Sequence, residues 1–145
     1  MNAPASHHCF RVLLAPALFA LVSACAATAG GNAPPLRGTV WQLGADGPRA
    51  PHIRLDDKES RFVGYGGCNR LLGGYTLEGP RLRFEGIAAS RRACADDDGS
   101  EDRFLAALGG VRGWRIEGGQ LKLLSASGGT LLELRPAPAS VPAPR

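Results

Sequence analysis

Short runs of alternating polar and apolar residues, each cut off within about five residues by a glycine, a proline or an acidic turn, limit what this chain can become. Its 20 glycines sit mostly between apolar runs, and many of its 11 prolines gather at Pro34-Pro35 and from Pro136 to Pro142. Long helices do not survive such punctuation, whereas short strands joined by tight turns do. Thr39–Leu43 reads as a first strand, with Trp41 as a large inward anchor. Asp46-Gly47-Pro48 is turn chemistry. His52–Leu55 and Arg61–Tyr65 alternate as half-buried strands. Residues 66–75 are glycine-rich, and the chain returns to an extended form at Thr76-Leu77. Arg81–Phe84, Trp114–Ile116, Leu121–Leu124 and Thr130–Leu134 alternate again, the last three separated by Gly118-Gly119 and Gly128-Gly129 as hairpin turns.

One segment has helical spacing, at about Gly99–Leu108. Asp98 is placed to cap it, and Glu101 stands three residues on, in capping-box position. Phe104, Leu105 and Leu108 form a single apolar stripe of the kind that packs a core, and Gly109-Gly110 stops the helix. The fold expected is α+β: a mostly antiparallel meandering sheet or cracked β-barrel of about seven or eight short strands, with one helix.

The first residues read as an address. Arg11 closes a weakly cationic head, and Val12 to Val22 is apolar throughout, the length of a signal core and too short to span a bilayer. Val22-Ser23-Ala24-Cys25 resembles the bacterial lipobox, in which a thiol is needed to carry diacylglycerol. Residues 1–24 are therefore read as a lipoprotein signal peptide and Cys25 as the lipidated residue. Ordinary secretion is the alternative, since Ala24-Cys25-Ala26 and Ala27-Thr28-Ala29 both suit the general signal peptidase. Ala26 after the cysteine resembles the residues that permit sorting to the outer membrane. Residues 25–37 read as a flexible tether, 38–135 as the folded domain, and 136–145 as a disordered Pro/Ala tail.

Four cysteines sort by position. Cys9 leaves with the signal and Cys25 takes the lipid, so Cys68 and Cys94 remain in an exported, oxidising setting. A disulfide between them would close a loop of about 26 residues and contribute roughly 3–4 kcal/mol. Two separate buried thiols are the alternative.

Charge and chemistry exclude several function classes. The net charge is +4, and losing residues 1–24 leaves sixteen cations against thirteen acids, a net +3. With no Lys/Arg run interleaved with aromatics, nucleic acid is not an expected partner, and Arg91-Arg92 reads as solvated surface. His52 is the only imidazole after residue 24, it sits on a strand as a surface or rim residue, and no G-x-S-x-G occurs. His52, Cys68 and Cys94 are too scattered for zinc. The acidic stretch Asp96–Asp102 lacks the ligand spacing of a calcium loop. Gly64, Gly66, Gly67, Gly73 and Gly74 match neither a dinucleotide nor a phosphate loop. No metal and no cofactor are expected.

The glycine segment carries a likeness. Gly66-Gly67-Cys68-Asn69-Arg70, followed by Gly73 and Tyr75, resembles the G-C-N…G-x-Y signature of the META domain (HslJ-like) family. Trp41-x-Leu43 resembles its opening W-x-L. Ser90-Arg91-Arg92-Ala93-Cys94 resembles its second cysteine motif, and Glu101…Phe104…Leu108 resembles the helix after it. The resemblance implies a compact α+β domain, often on a lipoprotein, linked to heat-shock or envelope-stress settings and antibiotic tolerance, with no established enzymatic activity. The function expected is that of a monomeric, non-catalytic envelope-stress or binding module on the outer membrane, facing the periplasm. It would be held by its lipid and would engage an envelope protein or an acyl chain through Tyr65, Asn69, Arg70 and Tyr75. A thiol-dependent enzyme using Cys68 or Cys94, or a protease inhibitor presenting the glycine loop, are the alternatives.

Overall fold

The computed structural model describes residues 33–138, apart from 45, 48 and 94–97. The signal segment, Cys25, Cys94, Asp96, Asp97 and all but the first residues of the expected tail lie outside the described residues. Eight strands run β1 (Val40–Leu43), β2 (His52–Leu55), β3 (Arg61–Tyr65), β4 (Arg70–Glu78), β5 (Arg81–Ala89), β6 (Gly113–Glu117), β7 (Gln120–Leu124) and β8 (Thr130–Pro136), with helix α1 (Ser100–Gly110) between β5 and β6. All pair antiparallel in one sheet of order β5-β4-β3-β2-β1-β8-β7-β6. The expected antiparallel meander with one helix is thus the observed architecture. It is mostly β, and open.

The topology explains the opening. Neighbours in sequence are neighbours in the sheet, except that β8 returns to pair with β1, so only a β5–β6 ladder is missing from a closed barrel. Those two edges touch at one end. There Leu82 N donates to Arg112 O (3.4 Å) and Trp114 N to Pro80 O (3.0 Å). Helix α1 packs against β5 and β8.

Alternation decides the interior. Trp41, Ile53, Leu55, Phe62, Leu71, Tyr75, Leu82, Phe84, Leu121, Leu123 and Leu134 point inward and are no more than 5% exposed, and Phe104 and Leu108 meet them from α1. Phe62 and Phe84 pack edge to face, centroids 4.9 Å apart.

Four local expectations change. β4 begins at Arg70 rather than at Thr76, because its glycines lie in strand conformation with a register shift between Leu72 and Gly74. β5 runs on to Ala89, paired with that longer β4. The helix is capped not by Asp98 but by Gly99 (φ 72, ψ 13), with no side-chain cap bond, and Asp98 accepts instead from Ser100 N at 2.9 Å. Gly109 and Gly110 are its last turn rather than its stop, and Val111 N closes onto Leu108 O.

The few described residues at the inner edges of the expected tether and tail are packed against the sheet. Leu36 is buried, its carbonyl accepts from Trp41 Nε1 (2.9 Å), and Gly38 N donates to Leu55 O (2.8 Å). At the other end Pro136 continues β8, and Ala137 N donates to Val40 O (2.8 Å). Backbone pairing to β1 and β2 outweighs the loop character of the prolines there. Among the described residues no helix is long and apolar enough to cross a membrane.

Candidate functional site

Tyr65 ends β3 and pairs with Arg70 at the start of β4, so Gly66-Gly67-Cys68-Asn69 is a four-residue hairpin loop closed by Gly66 N donating to Asn69 O (2.9 Å). Such a loop leaves backbone N–H groups pointing away from the sheet, and they need acceptors. Glu101, from the first turn of α1, supplies them. Its Oε2 accepts from Cys68 N (3.0 Å) and Asn69 N (2.7 Å), and its Oε1 accepts from Asn69 Nδ2 (2.7 Å).

The other side of the Asn69 amide faces the chain beyond β5. Asn69 Oδ1 accepts from Ser90 Oγ (2.9 Å) and from Arg92 N (2.8 Å). Arg92 N–H can only donate and an ionised Glu101 can only accept, so the network dictates which way the amide points. Ser90 Oγ also accepts from Arg70 N (3.2 Å), and Ser90 N donates to Arg70 O (3.0 Å). One asparagine therefore joins three segments: the hairpin loop, the chain just beyond β5 at 90–92 and the helix start.

The spelling of the motif follows from this geometry. A Cβ on Gly66 would lie 2.7 Å from the Glu101 carboxylate, so only glycine lets the acid approach the loop. Gly67 adopts φ 115, a left-handed conformation that favours glycine. Cys68 is disulfide-bonded. Cys94, its expected partner, lies outside the described residues.

The electrostatics agree. Partial burial pushes the Glu101 carboxyl up, but the hydrogen bonds from Asn69 N, the Asn69 side chain and Cys68 N outweigh it and hold it below the usual carboxylate range. Glu101 is thus an ionised acceptor rather than the reciprocal half of a capping box, as its sequence position had suggested.

Of the four residues expected to form a contact surface, the structure brings three to this corner and leaves one elsewhere. Asn69 is 7% exposed and hydrogen-bonded on both sides, so it is an internal tie and not a contact residue. Tyr75 lies toward the far end of β4, is 3% exposed and donates its hydroxyl to Asp56 O (2.8 Å). Burial raises its pKa, partly opposed by Arg37, whose guanidinium stands 5.7 Å from the ring centroid. Inward strand parity removes it from the surface. Tyr65 is half-buried and Arg70 exposed, and both remain candidates. His52, expected at the surface, is buried; its Nδ1 bonds Ala50 O (2.9 Å) and its ring lies 5.8 Å from that of Tyr65.

Beside the loop opens a depression of about 890 Å³ whose lining includes Arg49, Tyr65, Asn69, Arg92, Asp98 and Glu101. Among the described residues no group of three or more His, Cys, Asp or Glu is arranged to hold a metal ion. Sequence reasoning missed Glu101 and Ser90 as partners of the loop. The signal available was the loop itself, which exposes two N–H groups and an amide and therefore calls for an acid from elsewhere.

A family model described as META domain matches residues 31–138. Among solved structures, the chain is similar to an NMR structure of a protein from Burkholderia xenovorans, at 24% identity and a TM-score of 0.57, covering 70% of this chain and 83% of that one. It is also similar to a second protein solved by NMR, at 21% identity and a TM-score of 0.52, covering 68% and 87%. Both likenesses concern the fold. No curated protein matches.

Proposed function

Because the chain belongs to the META domain family, we propose that it is a non-catalytic binding module of the cell envelope, anchored by a lipid on Cys25, facing the periplasm and serving under envelope stress. One observation carries the non-catalytic reading: the chemistry of the signature loop is already consumed within the fold. Both Glu101 oxygens are engaged by loop donors, the Asn69 amide is engaged on both sides, and Cys68 is disulfide-bonded. A thiolate nucleophile needs a free thiol, and a general acid needs a carboxyl that keeps its proton near neutral pH; Cys68 and Glu101 have neither property. The core is filled by its own side chains, with Phe62, Phe104, Leu108 and Leu123 at most 2% exposed. That favours a partner bound outside, at the depression beside Tyr65, over an acyl chain held between sheet and helix.

The test is made on protein recovered from the envelope. Intact mass is expected to give a chain beginning at Cys25 and carrying diacylglycerol. A photo-crosslinker at Tyr65, on the lining of that depression, is expected to trap a discrete envelope partner under heat stress. An unmodified Cys25, or a hydrolytic or thiol-exchange activity abolished by Cys68→Ser, would overturn the reading.

A further inference from the structure

We propose that the outer face of β3, β4 and β5 around Leu72 lies on the phospholipid bilayer that anchors the chain. The proposal rests on the lipid-anchor reading above and adds the orientation of the domain. Leu72 sits mid-strand and is 53% exposed, while its neighbour Leu71 is buried at 2%. Its cross-strand partners are Val63 on β3 and Ala88 on β5, so three apolar side chains share one outward row. Arg54 of β2 continues that row opposite Val63. Arg61 and Arg70 stand two residues from Val63 and Leu72 on their own strands, and therefore on the same face. The acids nearby are Glu85, opposite Gly74, and Glu59, which meets Arg61 only at 4.0 Å with both side chains well exposed. An apolar centre rimmed by arginines suits an interface of acyl chains beneath anionic headgroups.

Size and tether favour a membrane over a protein here. Three side chains make a patch far below the roughly 800 Å² per partner of a stable protein interface. A lipid-anchored domain needs only weak surface affinity, because its tether already sets a high local concentration. The ten residues from Ala26 to Pro35 reach at most about 35 Å. They lead to Leu36 and to Gly38, which pairs with Leu55 next to Arg54. From β2 to β4 is two strand spacings, about 10 Å. The anchor thus holds this face within reach of the bilayer.

The experiment uses the full chain, purified from the envelope and reconstituted into vesicles of phosphatidylethanolamine and phosphatidylglycerol with brominated acyl chains. Leu72→Trp is compared with Leu131→Trp, the other exposed large apolar position among the described residues, four strands away on β8. Native Trp41 is buried and Trp114 half-buried, which keeps the background constant. Leu72→Trp is expected to be quenched at least about twofold more than Leu131→Trp, as burial to the acyl boundary requires. Adding Arg61→Glu and Arg70→Glu is expected to remove most of that difference, each costing about fivefold in surface association. A chain that floats with the vesicles but shows equal quenching at both positions overturns this surface alone and returns the patch to a protein partner. A chain that does not float overturns the anchor and the surface together.

Discussion

Two hairpins of this molecule reverse an antiparallel chain by different means, and each has a glutamate beside it. Between β6 and β7 the reversal is local. Glu117 pairs with Gln120, Gly118 and Gly119 make a two-residue turn at φ 59 and 79, and the Glu117 carboxylate takes Arg115 (2.8 Å) and Lys122 (3.0 Å) at the surface. Between β3 and β4 the loop is two residues longer and is completed from outside, by a carboxylate 32 residues further along the chain. A two-residue turn satisfies itself. A four-residue loop with outward N–H groups has to borrow, and borrowing couples it to the helix that lends. Disturbing the β6–β7 turn should stay local, whereas disturbing the β3–β4 loop should also release α1 and the segment that follows β5 at 90–92.

The largest effect expected at the coupled loop is loss of its covalent tie. Cys68→Ser should cost about 3 kcal/mol by chemical denaturation, and reduction of the native protein should cost the same. Glu101→Ala leaves three donors without their acceptor and should cost about 2–3 kcal/mol. Glu101→Gln, which can keep its one acceptor oxygen on the two backbone N–H groups but sets its NH2 against Asn69 Nδ2, should fall between. If Glu101→Ala proves as mild as a surface change, the coupling does not exist.

Acid should expose the same difference on a smaller scale. Glu101 is held below its unfolded value, so its contribution is complete above about pH 4.3 and is lost as pH falls through the lower folded value. Asp56, held low by the N–H groups of Glu59 and Lys58, and Asp98, held low by Ser100, add an acid loss common to every variant. Wild type should therefore destabilise more steeply than Glu101→Gln below about pH 4, and parallel curves would remove Glu101 from the account. The smallest effect is expected at the self-sufficient turn. Glu117→Ala, whose ion pairs are half exposed, should leave the Tm unchanged in a thermal melt.

Alternation made the strands legible wherever both faces had side chains to alternate. His52–Leu55 and Arg61–Tyr65 stand where the pattern puts them. It failed on β4, where Gly73 and Gly74 leave nothing to alternate, and on the second half of β5, where Gly86 interrupts the pattern. The site was half legible. Its motif marked the loop, but Asn69 looks the same in sequence whether its amide faces solvent or a carboxylate 32 residues away. Tyr75 was misplaced for a simpler reason: with glycines before it, nothing showed that its strand had already begun and that its parity was inward. Glu101 obeyed a local rule at the helix start so well that its long-range role was hidden.

The pairing of Ala137 with Val40 has a consequence for larger architectures. It places the first and last strands of the fold side by side, with the chain coming in and going out at the same corner of the sheet. A unit built that way can be spliced into a surface loop of another protein, or have its own ends joined and be reopened elsewhere, without any strand changing its neighbours.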